Sequence, residues 1–264
     1  MLKYWTIFKI SWENSLVYRL NFILWRIRSV LQLLLIYFIW WTVFQSQDQI
    51  FSYTKESIIT YILVAALMRA IILSSRASDL ANQINDGSIV NFLVKPLGFI
   101  KFYLIRDISD KLLNIFFVIF EITLLIFLLK PQILIQTNLH FLLLTAVAAI
   151  GGIIVYFCIS FIVSLLAFWV ESSWAFLFFM TVILEGFGGG LFPIDILPNP
   201  LFNILMLTPF PYLIYFPSKL YLGTMANVEI LIGFLILTFW VLILWFLMKW
   251  ILNMGLKTYT AVGH

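Results

Sequence analysis

Long apolar stretches alternate with short polar ones along most of the chain. Six of these stretches come close to the roughly 20 apolar residues that a helix needs to cross a bilayer core about 30 Å thick. The second contains Arg69 and Arg76 near its end, and both can extend to the polar interface if that end faces the cytoplasm. The pattern predicts six transmembrane helices, at residues 22–44, 57–76, 109–129, 140–168, 174–191 and 228–251.

The N-terminal segment, residues 1–21, mixes aromatic and charged side chains instead of forming an apolar run. Trp5, Lys9, Trp12 and Glu13 illustrate the mixture. This composition is typical of an amphipathic helix that lies in the membrane interface. A cytoplasmic extension of the first span is the alternative interpretation.

A polar segment, residues 77–98, separates the second and third spans. Gly87 is a suitable helix end within it, because glycine readily adopts the left-handed conformation that follows a helix C-terminus. The segment therefore predicts a short helix with one polar and one apolar face. The apolar face is defined by four residues at helical spacing: Ala77, Leu80, Ala81 and Ile84.

The chain is expected to turn before the third span, because Pro96 disfavours a helical conformation at Lys95. The next helix is expected to begin on the cytoplasmic side, in contact with water. Its early residues include two opposite-charge pairs at the i,i+4 spacing, namely Arg106 with Asp110 and Asp107 with Lys111.

Residues 192–227 are rich in proline, and a glycine-rich stretch precedes them. Proline at this density excludes a straight spanning helix, yet the segment remains apolar. Non-helical backbone at membrane depth must be buried in protein or line a cavity. We therefore expect short broken helices that dip into the outer leaflet; a seventh span at residues 201–217 is the rival interpretation. The prolines are Pro193, Pro198, Pro200, Pro209, Pro211 and Pro217.

The composition also indicates a membrane protein. Hydrophobic residues make up 63% of the 264 residues and charged residues 11%, whereas a soluble domain is about half apolar and about a quarter charged. No polar block is long enough to form a separate soluble domain. The expected organisation is a single all-α transmembrane domain over residues 1–264: an interfacial helix (1–21), spans 1 and 2 (22–76), a cytoplasmic loop (77–98), spans 3 to 5 (99–191), re-entrant outer helices (192–227), and span 6 with a cytoplasmic tail (228–264).

The net charge of +4 carries topological information, because the basic residues lie beside apolar segments. With the N-terminus inside, five basic residues fall in residues 1–28, six in residues 69–111 and two near the C-terminus. Only Lys55, Lys130 and Lys219 then lie outside. The positive-inside rule therefore predicts that both chain ends are cytoplasmic.

The sequence contains none of the usual catalytic motifs. It has no phosphate-binding glycine loop, no His-Glu-x-x-His metal helix and no G-x-S-x-G nucleophile turn. Two carboxylates, Glu121 and Glu185, fall in apolar surroundings. An acid in such a position usually faces a bundle interior or a water-filled path, so each is either a polar contact on a substrate path or a structural hydrogen-bonding group.

Two groups of motifs occur in an order that is characteristic of one transporter family. The cytoplasmic loop contains Asp86-Gly87-Ser88-Ile89 and then Leu93-Val94-Lys95-Pro96-Leu97. The proline-rich segment contains Gly190-Leu191-Phe192-Pro193-Ile194, Leu197-Pro198, Pro209-Phe210-Pro211-Tyr212, Tyr215-Phe216-Pro217 and Leu222-Gly223. Together they resemble the permease subunits of type-2 ATP-binding-cassette exporters, in the six-span branch of ABC-2 family transporters. The glycine-rich stretch 187–190 departs mildly from that family.

The resemblance implies a permease that is not itself an enzyme and that lies in the plasma or inner membrane. Two permease chains, identical or paralogous, would form the path, and separate cytoplasmic ATPase subunits would bind ATP and Mg, with no cofactor in this chain. The loop helix would be the coupling helix that docks into the ATPase, and the outer helices would close the path. The residues expected to couple to the ATPase are Leu80, Ile84, Asp86, Gly87, Lys95 and Pro96. Those expected in the substrate path or gate are Glu121, Glu185, Gly189, Gly190, Pro209, Phe210 and Pro211.

Two other classes of function fit the composition. An ion-driven secondary transporter would place ionisable residues at the midplane and show inverted repeats, but only Glu121 lies near a predicted midplane and no repeat is visible. A structural or assembly protein of the membrane is the second alternative. A neighbouring gene for an ATPase with a phosphate-binding loop would favour the exporter.

Overall fold

The structure is a computed structural model that describes residues 2–17, 19–46, 49–93, 98–170 and 174–258. Most of these residues are helical, and one small antiparallel pair is formed by β1 (Gln49–Ile50) and β2 (Tyr53–Thr54). The α-helices are, in chain order, α1 (Leu2–Val17), α2 (Arg19–Val43), α3 (Lys55–Ile72), α4 (Ala77–Asn85), α5 (Val90–Leu93), α6 (Phe99–Leu129), α7 (Leu139–Leu165), α8 (Trp174–Phe187), α9 (Asn199–Met206), α10 (Tyr215–Leu222) and α11 (Asn227–Thr258).

Four helical stretches of the described chain are long and apolar enough to cross a membrane: 22–43, 99–129, 139–168 and 227–258. They correspond to the first, third, fourth and sixth predicted spans. The third begins ten residues earlier than predicted, at Phe99. The expectation of a helical multi-pass membrane protein is therefore confirmed.

The second and fifth predicted spans form shorter helices than expected. Helix α3 has 18 residues and ends at Ile72, four residues before the predicted end of that span. It includes Lys55, Glu56 and Arg69, which lower its apolar character. Helix α8 ends at Phe187, and the chain then bends at the glycine-rich stretch instead of continuing to residue 191. Six spans thus remain a prediction.

Helix α3 is enclosed along its whole length, and none of its residues is exposed. It contacts α2, α6, α7 and α10, and the side chains of Ile58, Ile59 and Ala65 are almost fully buried. Its start is fixed by a capping box, in which the side chain of Thr54 accepts a hydrogen bond from the backbone N–H of Ser57 and the Ser57 hydroxyl accepts one in return. Other elements are therefore positioned against α3.

Helices α7 and α11 pack closely because small residues lie between them. A Cβ atom added to Gly151 of α7 would lie 2.7 Å from Leu237 of α11, and one added to Gly255 would collide with Phe168. Small residues let helix backbones approach in this way when lipid provides no hydrophobic driving force between helices. The two helices therefore form a tight pair.

The turn between β1 and β2 is a feature that the sequence did not predict. Its central residues, Phe51 and Ser52, both have positive φ angles, of 50° and 67°, as in a two-residue hairpin of type I′. Such turns usually contain Asn-Gly or Asp-Gly, and neither is present. The hairpin is a small local exception within an otherwise helical fold.

The proline-rich segment consists of short helical pieces, and their location in the outer leaflet stays a prediction. A 3₁₀ helix at Ile194–Ile196 precedes α9, and a second at Phe210–Tyr212 precedes α10. Residues 207–209 interrupt the helical conformation between α9 and the second 3₁₀ helix. The described residues of the rival seventh span, 201–217, therefore do not form one continuous helix.

Two groups of elements lie at opposite ends of α3. The hairpin directly precedes its first residue, and α4 follows its last.

Helix α1 packs against the early part of α6, where the hydroxyl of Ser109 donates to the carbonyl of Phe8 at 3.3 Å. Helix α1 is an element distinct from α2, and its location in the membrane interface stays a prediction.

Candidate functional site

The apolar face of α4 is buried by the chain itself. Leu80 and Ala81 are 0% and 1% exposed, and Ile84 is 5% exposed. Helix α4 contacts α7 and the 3₁₀ turn at Leu166–Phe168. Leu80 and Ile84 therefore hold α4 on the bundle, and their side chains are not accessible for contact with another subunit. Their role in coupling stays a prediction. In it, the two residues position α4 and do not themselves contact an ATPase.

Ion pairs attach the same helix to α6. The Nη2 atom of Arg106 lies 2.5 Å from Oδ2 of Asp79, and the hydroxyl of Tyr103 donates to the side-chain carbonyl of Gln83. Arg106 thus reaches α4, beyond its own helix. Helix α4 is held by both apolar packing and charge.

The end of α3 is also attached to α6, within about one helical turn of Arg106. Arg76 forms an ion pair with Asp110, and this hydrogen bonding raises the pKa of the Arg76 guanidinium. Lys111 pairs with Asp107 at 3.1 Å, as the i,i+4 spacing predicted, but both side chains are 5% exposed. They are therefore buried, which corrects the expectation of a wetted helix extension. The Nζ atom of Lys111 donates to the carbonyls of Ile72 and Ser74 and so satisfies the C-terminus of α3.

The exposed face of α4 and the residues after it are polar. Asn82, Asn85 and Asp86 are exposed. Hydrogen bonds from Ser88 lower the pKa of the Asp86 carboxyl, which keeps it ionised. Gly87 has a φ of 75°, which confirms the expected left-handed residue after the helix. Lys95 and Pro96, the remaining predicted coupling residues, lie outside the described residues.

Glu121 is paired inside the bundle with an arginine from α2. The Nε atom of Arg26 donates to Oε1 of Glu121 at 2.6 Å, and Nη1 donates to the side-chain oxygen of Asn114 at 3.0 Å. The Glu121 side chain is 11% exposed. The carboxylate thus faces protein, as expected for an acid in apolar surroundings. Its part in a path stays a prediction.

Glu185 is paired with Arg69. The Nη2 atom of Arg69 lies 2.8 Å from Oε2 of Glu185, and the amide of Gln32 lies 3.4 Å from the same oxygen. Three helices, α2, α3 and α8, therefore meet at one polar cluster, which we call the Arg69 cluster (Gln32, Arg69 and Glu185). The expectation that Arg69 extends to the cytoplasmic interface is corrected, because its side chain is held within the bundle by this carboxylate.

The bend after α8 has a partner for each of four backbone carbonyls. The carbonyl of Leu184 accepts a hydrogen bond from the N–H of Gly188, and the carbonyl of Gly188 accepts one from the N–H of Tyr215. The carbonyl of Gly189 accepts one from the hydroxyl of Tyr61 at 2.6 Å. The carbonyl of Leu191 accepts one from the indole N–H of Trp40. A break in a helix within an apolar bundle requires such partners. The bend is therefore fixed by α2, α3 and α10.

Two glycines allow this bend to lie against α3. Gly189 has a φ of 84°, and a Cβ atom there would lie 2.7 Å from Cβ of Tyr215 and 2.8 Å from the Tyr61 hydroxyl. A Cβ atom on Gly190 would collide with the guanidinium of Arg69. Both predicted gate glycines thus adjoin the Arg69 cluster.

The predicted gate residues Pro209, Phe210 and Pro211 lie on the other side of the bend. They belong to a turn that contacts α7 and α8, and both prolines are buried. The Phe210 carbonyl lies near Gly188, 3.7 Å from where a Cβ atom would be placed. The structure therefore brings these residues to the bend, while Glu121 is paired elsewhere with Arg26.

A second polar cluster links the hairpin to the proline-rich segment. The Tyr53 hydroxyl donates to Asp195 at 2.9 Å, and Nζ of Lys219 lies 2.7 Å from both that hydroxyl and the Asp195 carboxylate. Burial and the charge of Asp195 raise the pKa of the Tyr53 phenol, so it remains a donor. We call this group the Tyr53 cluster.

Sequence reasoning missed the partners of the two acids. Arg26 and Arg69 were interpreted as topology signals, and Gln32 was not considered. Their apolar surroundings were a usable signal, because an ionisable group in such a segment normally has a partner. The identity of the partner depends on contacts between segments distant in sequence.

Comparison with known proteins gives one family match. A family model described as ABC-2 family transporter protein matches residues 30–263. No curated protein matches the chain, and no solved structure does.

Proposed function

The chain belongs to the ABC-2 transporter family, and from that premise we propose that it is one of two permease chains of an ATP-driven exporter. The family and the apolar helices make it a membrane transport component of an ABC transporter. In the proposal, cytoplasmic ATPase subunits bind ATP and Mg and perform the hydrolysis. The second permease chain, identical or paralogous, completes the path.

The observation that carries the proposal is the way α4 is mounted. Its buried face, with Leu80 and Ile84, is packed on the bundle, while Asn82, Asn85 and Asp86 are exposed. A partner that binds the exposed face can therefore move α4 only together with the helices beneath it. This is what a contact between an ATPase and a membrane domain requires.

The path of such a movement follows the ion pairs. A displacement of α4 acts on α6 through Asp79 and Arg106, and α6 in turn holds the end of α3 through Asp110 and Lys111. Helix α3 carries Arg69 and Tyr61, which contact the bend after α8. Packed elements of this kind switch between discrete arrangements. In the proposal, ATP binding moves the ATPase subunits, and the movement passes from α4 to the bend along this route.

The proposal also specifies a topology. Both chain ends are cytoplasmic, α3 and α8 complete six membrane crossings, and α1 lies in the interface. The proline-rich helices form an outer lid, with the Tyr53 cluster at its junction with the hairpin. The grouping of Lys55 and Lys219 near the hairpin, away from Arg76 and Arg106 near α4, supports this orientation under the positive-inside rule.

The test is recovery of an ATPase with the tagged chain. The chain is purified from its native membranes in a mild detergent, and associated proteins are identified by mass spectrometry. We expect an ATPase with a phosphate-binding loop. Replacing Asn82 and Asp86 together with arginine should remove most of it, because two bulky cations would occupy the docking face.

The matched control is Asn203→Arg, at an exposed asparagine on α9 in the proline-rich segment. It should leave ATPase recovery unchanged. Equal recovery with wild type and the Asn82/Asp86 variant would place the contact elsewhere. Transport by the purified chain that proceeds without any ATPase would favour the ion-driven alternative.

A further inference from the structure

The Arg69 cluster has more positive than negative charge in its surroundings. Arg69 is paired with Glu185, and Arg28 lies on α2 one helical turn before Gln32, the α2 member of the cluster. Among the described residues Arg28 has no carboxylate partner; it stacks on the ring of Trp25 at 5.0 Å and is exposed. The cluster thus contains a single carboxylate, with a second arginine one helical turn away.

Two of the three nitrogens of the Arg69 guanidinium, Nε and Nη2, are buried without a hydrogen-bond acceptor among the described residues. The contact of Nη2 with Glu185 is an ion pair without a well-aligned hydrogen bond. An unsatisfied buried donor costs about 1–3 kcal/mol and calls for an explanation. A ligand with several acceptor oxygens would satisfy these donors.

The depth of Arg69 limits what that ligand can be. The residue lies fourteen positions after Lys55, about 21 Å along α3 from the hairpin end. Helical side chains tilt toward the helix N-terminus, and the guanidinium accordingly reaches Gly190. In the proposed topology this is within the hydrocarbon layer, where a small inorganic anion would not enter unaided. An anion attached to an apolar chain would enter this layer, because the chain favours the hydrocarbon.

The cluster is also open on one side. The side chains of Arg69 and Glu185 are 17% and 24% exposed, so both can be reached from outside the bundle. On α2, the apolar side chains of Leu24, Leu31 and Leu35 are exposed within two helical turns of Arg28. A polar group can thus approach the arginines while an attached chain lies along α2.

We propose that Arg69, assisted by Arg28, binds the acidic headgroup of an amphiphilic cargo, which takes the place of Glu185 as the partner of Arg69. The proposal deepens and rests on the proposed exporter function. Glu185 neutralises the arginine when no cargo is bound, which limits the cost of a charge in the bundle. The cargo class is a single- or multi-chain amphiphile with a phosphate or carboxylate.

Binding is tested on the purified full chain in neutral maltoside detergent, with tritiated dodecyl phosphate and scintillation proximity detection. We expect saturable binding. Arg69→Gln should weaken it by about tenfold or more, since a charge-assisted hydrogen bond is lost. Arg28→Gln should weaken it several-fold, and Glu185→Gln should strengthen it because the competing carboxylate is removed.

The controls separate this role from a structural one. Lys249→Gln, an exposed lysine on α11, should not change the affinity. If Arg69 and Glu185 are only a structural pair, both variants lower thermal stability and neither changes the preference for dodecyl phosphate over zwitterionic dodecyl phosphocholine. Should Arg69→Gln fail to fold, the opposite effects of Arg28→Gln and Glu185→Gln still decide the question, and equal affinities in those two variants would overturn the proposal.

Competition identifies the source of the anion. Unlabelled dodecyl phosphate should displace the label far better than inorganic phosphate does. Displacement by phosphatidylglycerol at the same concentration as by dodecyl phosphate would identify a membrane lipid and overturn the cargo assignment. The assay contains no ATPase, so a chain that binds dodecyl phosphate but recovers no ATPase contradicts the proposed function alone, and the reverse result contradicts the headgroup site alone.

Discussion

Arg26 and Glu121 are separated by 95 residues, and their side chains join α2 to α6 through a hydrogen bond of 2.6 Å. Their side chains are 13% and 11% exposed. The side-chain oxygen of Asn114 accepts a hydrogen bond from a second nitrogen of the same guanidinium. Helix α2 is otherwise exposed along much of its length, so this pair is a principal polar attachment of α2 to the bundle.

Breaking this pair on one side should destabilise the protein more than replacing both partners. Arg26→Met or Glu121→Met alone leaves an uncompensated charge, and we expect a loss on the order of 3 kcal/mol in unfolding free energy. The double variant should recover most of that loss. Unfolding of the purified chain in increasing sodium dodecyl sulfate measures all three. Additive losses in the double variant would show that the two residues do not interact.

The bend after α8 provides a matched comparison of two glycines. Gly189→Ala combines a positive φ with close contacts to Tyr215 and Tyr61, and it should cost about 2 kcal/mol or more. Gly186→Ala has open space and lies within α8, so it should be neutral or stabilise by up to about 1 kcal/mol. Thermal unfolding of the two variants measures the difference in stability. Equal shifts of the unfolding temperature would contradict the observed geometry.

Tyr53→Phe removes the hydroxyl that contacts both Asp195 and Lys219. The ion pair between those two residues remains, so we expect a modest loss of about 1 kcal/mol. The effect should be local: backbone amides of residues 194–196 should exchange hydrogen faster, as measured by mass spectrometry. Tyr4→Phe on α1 is the control. Unchanged exchange at 194–196 would mean that the Tyr53 cluster does not restrain the proline-rich segment.

Helix α4 should separate stability from coupling. Leu80 is fully buried, so Leu80→Ala should lower the unfolding free energy by about 2–5 kcal/mol. Asn82→Ala is on the exposed face and should change it by less than about 0.5 kcal/mol, while weakening ATPase association. Thermal unfolding and ATPase recovery are measured on the same preparations. A stable Leu80→Ala protein would contradict the burial of α4.

A reporter fused after Gly263 tests the proposed topology. An active cytoplasmic reporter is expected, because Lys249 and Lys257 lie near the end of the last apolar helix. Fusions after Asn203, in the proposed outer lid, should report the opposite side. A periplasmic or external signal from the C-terminal fusion would overturn the cytoplasmic location of the chain end.

The parts of the fold that depend on local pattern were predictable. The long apolar runs identified α6, α7 and α11, and prolines identified the broken segment. A short helix at residues 77–86 was predicted from residue spacing, with Gly87 marking its end, and the observed helix is Ala77–Asn85. Each of these follows from side chains within a few turns of one another, where periodicity and backbone preferences act.

The remaining features depend on contacts between distant segments. The spacing of Leu80 and Ile84 identified an apolar face but could not tell whether the chain itself or another subunit covers it. Arg69 looked like an interface residue because the sequence shows that it lies near the end of its apolar segment. The sequence does not show its partner, the carboxylate of Glu185, which lies 116 positions later. The hairpin turn at Phe51 and Ser52 uses residues that rarely adopt positive φ.

The partners of the bend after α8 also set an order for biogenesis. Tyr61 is synthesised long before Gly188 and Gly189, whereas Tyr215 is synthesised after them. While the ribosome is still adding residues 190–214, the Gly188 carbonyl lacks the backbone N–H that will satisfy it. We expect α8 to remain at the insertion machinery, or shielded by a chaperone, until α10 emerges. A nascent chain truncated before Tyr215 should therefore be more accessible to protease at the bend than one extended to Gly223.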